Sequence, residues 1–275
     1  MSTTITTLAG FQELLVASAH AEFATTCMLL NAVDGEAVSD AETTVRFQGI
    51  AVPDAAAIVA ENTSLSAVAC TATAVPAVLA TYPLLARVSL LSDGSPRARR
   101  YVAQTLGGGI ARGVDTAITA LFPSFTAQRI NVDSGIVSVS DFWDGVATLD
   151  ATGFTGEKIA VFHPMTWKRI GPGILALAGA NGPKTNEFLL TGFIKNVAGT
   201  DIYVSPWVSV VNNIAFNAIY MKNAIGLAYR DPIIDIKQAL NTQYASMDYL
   251  GTAFACAVLA TAAAGCKFCD NIIAT

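Results

Sequence analysis

The stretch that decides the fold is Asn217-Ala-Ile-Tyr-Met-Lys-Asn-Ala-Ile-Gly-Leu-Ala228. Its apolar runs, Phe216 to Met221 and Ile225 to Ala228, are short, rich in β-formers and broken by the polar pair Lys222-Asn223, so they read as two strands in succession. Upstream stand a His163-Pro-Met-Thr-Trp167 element and a long helix opening at Ser95-Pro96. None of the three is a catalytic motif; their order along the chain carries the information.

The helix has the clearest start. Asp93-Gly-Ser-Pro96 offers Ser95 as an N-cap and Pro96 at the first helical position, where its missing N–H would be unpaired anyway. An apolar face follows through Val102, Leu106, Gly109/Ile110, Gly113, Ala117 and Leu121, and Phe122-Pro123 stops it. Such a helix is about 40 Å long, well above the common length. Gly107-Gly108-Gly109 in its middle marks either a bend or a place where another backbone comes close, since each Gly costs about 1 kcal/mol relative to Ala. A phosphate loop is excluded: no strand leads into it, no Lys-Ser/Thr follows, and Arg112 breaks the Gly-x-Gly-x-x-Gly spacing.

Before the helix, Thr43 to Leu91 reads as β: Val45, Phe47 and Ile50, then Leu65, Val68, Cys70, Val75, Val78 and Leu79, with interspersed Pro. A long ribbon has little core of its own and needs a partner to lie on. Phe11, Leu14, Leu15, Ala19 and Phe23 fall at helical spacing. They predict an N-terminal helix, either an arm on a neighbour or a helix on its own core. Asn31 to Asp40 reads as a loop.

After the helix, Ser140 caps a short helix carrying Phe142, Trp143, Val146 and Leu149. Lys158 to Phe162 is a strand. Pro164 starts a helical turn through Trp167 and Ile170, interrupted at Gly171-Pro-Gly173. Phe193 to Val197, Gly199 and Ile202 to Val204 read as strand, turn, strand. Ile233 to Lys237 is a further strand, and Tyr244 to Ile273 two more with a turn near Ala262 to Gly265.

Composition narrows the class. Of 275 residues, 53% are hydrophobic and only 13% charged, about half the usual charged fraction, and mean hydropathy is +0.49. So apolar a surface calls for burial against other chains or in lipid. Asn62–Ala86 and Tyr249–Cys266 are uncharged and long enough to span a bilayer, yet the first holds Pro76 and Pro83, the second is mostly Ala, and neither has flanking Lys/Arg clusters. Subunit burial is the better reading, with no membrane partner. Met-Ser-Thr-Thr-Ile-Thr-Thr carries no secretory signal. Net charge is −5, without the basic stripe of a nucleic-acid binder. The densest cations, Arg97, Arg99 and Arg100 near Arg87, read as a solvated helix start. An acidic wall suits a container that holds DNA without binding it tightly. Five cysteines, an odd and sparse number, point to a reducing cytoplasm rather than a disulfide framework.

Catalytic candidates are few. A His-based triad must use His20 or His163. The latter stands before Pro164 with Asp141, Asp144 and Asp150 nearby in sequence, but no Gly-x-Ser-x-Gly elbow exists, so capping or packing is its role. Cys266-Lys-Phe-Cys269 is half a zinc site at most and lies in a strand-like tail, where a thioredoxin-type pair wants a helix start; two small buried hydrophobes is the better reading. Asp231-Pro232 and Asp235 read as turn and surface residues. No catalytic, metal or cofactor site, and no cofactor, is expected.

From Thr43 to the C-terminus the ordered set resembles the major capsid proteins of tailed bacteriophages (Caudoviricetes), with the Hong Kong 97-like coat fold. Thr43–Leu91 is similar to the family's extended loop and the strand leaving it. Pro96–Phe122 is similar to its spine helix, with Asp115 in Ala111-Arg-Gly-Val-Asp115 where such helices often carry Asp. Val161–Trp167 resembles the strand-to-helix step into the axial domain, Gly192–Ser205 the axial hairpin, and Asn217–Ala228 the strands returning towards the peripheral domain. The resemblance implies an α+β chain divided as N-terminal arm 1–42, extended β-ribbon loop 43–92, spine helix and peripheral domain 93–160, axial domain 161–225 and return strands 226–275.

It further implies a non-enzymatic coat protein of a virion capsid, assembled in the host bacterial cytoplasm as pentamers and hexamers into an icosahedral shell around double-stranded DNA, bound without sequence specificity. A portal protein and a decoration or cement protein are implied partners. Many relatives carry a scaffolding extension of about a hundred residues; here the ribbon is reached within about forty, so a separate scaffolding protein is expected. The Lys–Asn cross-link of some relatives is not carried over. Two alternatives stay open: an encapsulin-like nanocompartment shell of the same fold, and a thiol-dependent enzyme using Cys266 and Cys269.

Overall fold

The computed structural model describes residues 4–39, 42–49, 73–89, 95–126, 128–130, 135–177, 193–197 and 199–273. Of the expected ribbon, Ile50, Leu65, Val68 and Cys70 lie outside these. The chain divides into two compact units, one made of 1–45, 77–119 and 226–258, the other of 46–76, 120–225 and 259–275.

The first unit is built on helices α1 (Thr4–Thr26) and α2 (Pro96–Thr119) and a four-stranded sheet in the order β1-β11-β12-β4. Its strands are β1 (Asp34–Val38), β4 (Ala80–Ser89), β11 (Ile225–Asn241) and β12 (Ser246–Leu259). Helix α2 begins as its sequence dictates, with the Ser95 hydroxyl accepting from the Ala98 amide at 3.1 Å. It buries Val102, Leu106, Ile110, Val114 and Ile118, a stripe at four-residue spacing. The triple Gly does not break it. An added Cβ at Gly107 would run into the Ala19 carbonyl oxygen of α1, and one at Gly109 into the Leu84 side chain of β4, so these glycines serve close approach. Helix α1 buries Leu15, Ala19 and Phe23 within its own chain while Leu14 stays exposed; the side chain of Phe11 lies outside the described residues.

Antiparallel pairing of β12 with β4 sets Leu250 opposite Leu85 and Gly251 opposite Leu84. Gly251 faces Leu106 and Ile110 of α2, so Leu84 and Gly251 share the helix-covered face, and by the two-residue period Leu85 and Leu250 lie on the other. Two sequence expectations are corrected here. Asn31–Asp40 is not simply a loop: β1 pairs in parallel with β11, Asp34 opposite Gly226 through Val38 opposite Arg230. Its strand state comes from that distant partner. Asp231 and Asp235 are exposed but sit within β11 rather than in a turn.

Strands β2 (Thr44–Gln48) and β3 (Ala74–Val78) pair as a two-stranded ribbon.

The second unit holds a seven-stranded sheet, β5-β13-β10-β6-β8-β7, with β9 paired to β10. Its strands are β5 (Gln128–Ile130), β6 (Lys158–Phe162), β7 (Phe193–Val197), β8 (Thr200–Val204), β9 (Val210–Val211), β10 (Ile214–Met221) and β13 (Gly265–Asn271). Strand β10, the first half of the deciding stretch, lies between β13 and β6, antiparallel to both. It is almost wholly buried. That is why it reads as a continuous apolar run rather than an alternating one. Gly199 closes the β7–β8 hairpin at φ 73°. Aromatic packing fills the core: Phe122 and Phe125 flank Tyr220 at 5.6 Å each, and Phe162 contacts Phe142 and Phe268 at 6.2 Å each.

Helices α3 (Val139–Ala151) and α4 (Pro164–Leu177) belong to this unit. The cap of α3 is Ser138, not Ser140. Ser138 and Asp141 form a capping box, which Ser140 joins through a 2.8 Å hydroxyl contact. Helix α4 runs on through Gly171-Pro172-Gly173. Gly171 lies against the Trp167 ring and Gly173 against Val139, so these glycines permit close packing where the sequence suggested an interruption.

Candidate functional site

His163 directly follows β6, is half-buried, and is held by hydrogen bonds to its neighbours. Its amide donates to the Asn217 side-chain oxygen at 2.6 Å, and its Nδ1 accepts from the Met165 amide at 3.2 Å, capping the first turn of α4. Burial pushes the imidazole below its ordinary value, with the Asp270 carboxylate acting the other way. None of Asp141, Asp144 and Asp150, its sequence neighbours, is among its partners.

The centre of this region is a residue the sequence reading passed over. Asp270 of β13 is fully buried. Its carboxylate accepts from the Val137 amide at 3.0 Å, the Thr166 hydroxyl at 2.6 Å and the Arg169 guanidinium at 2.8 Å. Arg169 also donates to the Asn271 carbonyl at 2.7 Å, and Asn217 donates to Thr166 at 3.2 Å. The network ties β6, β10 and β13 to α4 and to the segment entering α3. Two sequence signals pointed to it: Asn217 within the apolar run of β10, and Asp270 directly after Phe268-Cys269 in β13. The Thr166 hydroxyl is engaged on both sides, as donor and acceptor. The arrangement fixes a fold; it does not present a nucleophile.

Cys266 and Cys269 are both buried. Three residues apart on one strand, they project to opposite faces of the sheet and cannot act as a dithiol. Burial alone raises the Cys266 thiol to about 12, the reverse of what a reactive thiol needs. Among the described residues no three or more His, Cys, Asp or Glu side chains are placed to hold a metal ion, and no helix is long and apolar enough to cross a membrane. Much of Tyr249–Cys266 is strand.

Asp115, singled out on α2, is fully buried. It accepts from the Cys27 thiol and the Met28 and Leu29 amides, each at 3.2 Å, so it fastens the end of α1 to α2.

The remaining candidate is surface. In the first unit Leu85, Tyr101, Leu240 and Tyr244 are each more than half exposed. Arg87 stacks over Tyr244 at 4.5 Å and is paired with Asp248 at 2.7 Å. Arg97 and Arg100 are exposed at the start of α2, as a solvated helix end requires.

No protein-family model and no curated protein matches the chain. Solved structures do. The capsid of Ralstonia phage GP4 is similar at a TM-score of 0.65 and 9% identity, over 86% of this chain and 86% of that one. A virus-like particle from Pyrococcus furiosus is similar at 0.63 and 11% identity, over 94% and 99%. The holo-SrpI encapsulin complex from Synechococcus elongatus PCC 7942 is similar at 0.60 and 11% identity, over 90% and 88%. At these identities the likeness is one of fold: the chain has the α+β Hong Kong 97-like capsid fold.

Proposed function

We propose that this chain is a shell-forming structural protein, and specifically the major capsid protein of a tailed bacteriophage, closing as pentamers and hexamers around double-stranded DNA. The observation that carries the shell reading is the extent of the fold likeness, 86% of the chain for the phage capsid and 90% for the encapsulin, and the phage capsid is the more similar of the two at a TM-score of 0.65 against 0.60. A charged fraction of 13% and exposed Leu85, Tyr101, Leu240 and Tyr244 support it, because subunit contacts are where such a surface is buried. In this reading 1–42 is the arm, 43–92 the extended loop, 93–160 the spine helix and peripheral domain, 161–225 the axial domain and 226–275 the return strands. Portal, scaffolding and decoration proteins are its partners, and the virion capsid is its place. The acidic net charge of −5 suits a wall that encloses DNA without gripping it.

A nanocompartment shell is the second reading, favoured by the likeness to the encapsulin over 90% of this chain. Negative-stain electron microscopy of the purified chain, with and without a co-expressed candidate scaffold, tests the shell. Closed particles or tubes are expected; a uniform monomer or dimer under both conditions contradicts it. Nuclease-protected DNA inside particles from infected cells selects the phage reading, and a protein cargo selects the nanocompartment.

A further inference from the structure

We propose that the first unit carries a head-to-tail contact between copies of this chain: Asp34 and Glu36 on β1 of one copy dock at the corner formed by Arg97, Arg100 and Tyr101 of the next. This deepens the shell reading and rests on it. Strands β1 and β4 are the two edges of the sheet β1-β11-β12-β4, and charge is divided between them. On the β1–β11 side Asp34, Glu36, Asp231 and Asp235 are exposed. Asp34, Glu36 and Asp231 have no cation beside them among the described residues, and Asp235 has Lys237 at 3.8 Å. On the β4 side stand Arg87 and, at the start of α2, Arg97 and Arg100, all exposed. Asp248 matches Arg87. Arg97 and Arg100 have no carboxylate beside them among the described residues.

Solvation explains the exposure of these arginines but not their sign. Three of the first five residues of α2 are Arg, and its first turn holds no acid. The N-terminal end of a helix carries partial positive charge, so cations there are unfavourable. Such a local conflict marks a functional position, and a carboxylate arriving from outside relieves it. The basic end is also shaped as a contact. A hollow of about 390 Å³ between the end of β4 and the start of α2 is lined by Arg87, Ser95, Arg97 and Tyr101, with no acid in its wall. Tyr101 is 61% exposed, and Arg and Tyr are the side chains that most often anchor protein interfaces.

The two ends match in spacing. Asp34 and Glu36 are two apart on a strand, so they share a face about 7 Å apart. Arg97 and Arg100 are three apart on a helix, about 5–6 Å between their Cβ atoms, and their long side chains span the difference. The acidic and basic ends lie on opposite edges of one sheet, so one contact uses one of each and leaves one of each free. That is a heterologous contact, which repeats until a ring closes. Charges on an edge strand also discourage unwanted pairing, a task that either sign performs; opposite signs on the two edges are what a head-to-tail contact adds. Nucleic acid could use the arginines, but only a second copy accounts for the acidic edge as well, since that edge repels phosphate.

The test is charge reversal in the full chain, read by sedimentation velocity and negative stain under the condition that gives particles for the native chain. Arg97→Glu/Arg100→Glu and Asp34→Arg/Glu36→Arg should each raise the concentration needed for particles by about tenfold or more. Combining all four substitutions, or mixing the two reversed chains, sets unlike charges together again and should restore association. Arg97→Glu/Arg100→Glu places acids at a helix start, where they favour the fold. Its melting temperature should therefore hold or rise while assembly falls, which a folding defect does not do. Undiminished assembly of either reversed pair overturns the contact and leaves the shell reading standing, and so does a failure to recover by both routes. A native chain that stays monomeric with and without a candidate scaffold overturns both. Loss of DNA from otherwise normal particles of Arg97→Glu/Arg100→Glu assigns the arginines to nucleic acid and overturns the contact.

Discussion

The Arg169 guanidinium reaches the Asp270 carboxylate at 2.8 Å, and the acid is wholly buried while the base keeps a quarter of its side chain in solvent. The pair is therefore asymmetric: Arg169 can find water, whereas Asp270 depends on its protein partners. Asp270→Ala would also strand the Val137 amide and the Thr166 hydroxyl. The expected loss is about 3–5 kcal/mol, read from urea unfolding of the full chain. A loss below about 1 kcal/mol would mean the network is not formed as described.

Gly145 on α3 faces the Phe268 ring and the Ile219 side chain. In an open helix, Gly→Ala would stabilise by about 1 kcal/mol. Here the added methyl meets a packed aromatic, so Gly145→Ala should destabilise by about 1–3 kcal/mol. The melting temperature of the variant decides the sign.

Hydrogen bonds from Arg87 and then from Asn241 hold the Asp248 carboxyl at about 2. The Arg87–Asp248 contact links β4 to β12. Its stabilising effect is present above the ordinary Asp value and is lost as pH falls towards about 2. At about pH 3 Asp248 should remain ionised in the native chain and become protonated in Arg87→Gln. Carboxyl carbon chemical shifts report this directly, and identical titrations in the two proteins would contradict the pairing.

Thiol labelling separates buried from accessible cysteines. Cys27, Cys266 and Cys269 are buried, whereas Cys256 is partly exposed. Iodoacetamide applied to the folded chain, followed by peptide mapping, should leave the first three unmodified until denaturant is added. Rapid native labelling of Cys266 and Cys269 would revive the thiol-enzyme reading. Their double Ser substitution should otherwise leave shell formation possible.

Much of the fold was legible where local chemistry is self-sufficient. Ser95-Pro96 marks the start of α2, Lys158–Phe162 is β6, and Gly199 turns the β7–β8 hairpin, because a cap, a short apolar run and a positive φ each act over a few residues. Legibility failed where distant partners decide. Asp34–Val38 is exposed at four of five positions and carries two acids, yet it is a strand because β11 runs beside it. Gly171-Pro-Gly173 looks like a break, but Trp167 and Val139 pack onto its glycines and α4 continues. Cys-x-x-Cys looks like a dithiol on paper, and the strand period separates its thiols.

What the sequence determined by itself is the order of elements and the class of protein. Period, caps, turns and a charge content of 13% are set by residue identity. Tertiary structure alone decided which polar residues are buried and what holds them; of the two that stand out, Asp115 was marked by the resemblance and Asp270 was not. Asp115 and Asp270 are two acids among 21 Asp and Glu. What distinguishes them is full burial, with donors drawn from as far as 133 residues away in sequence. The cost of stripping water from a charge exists only once the chain has closed around it.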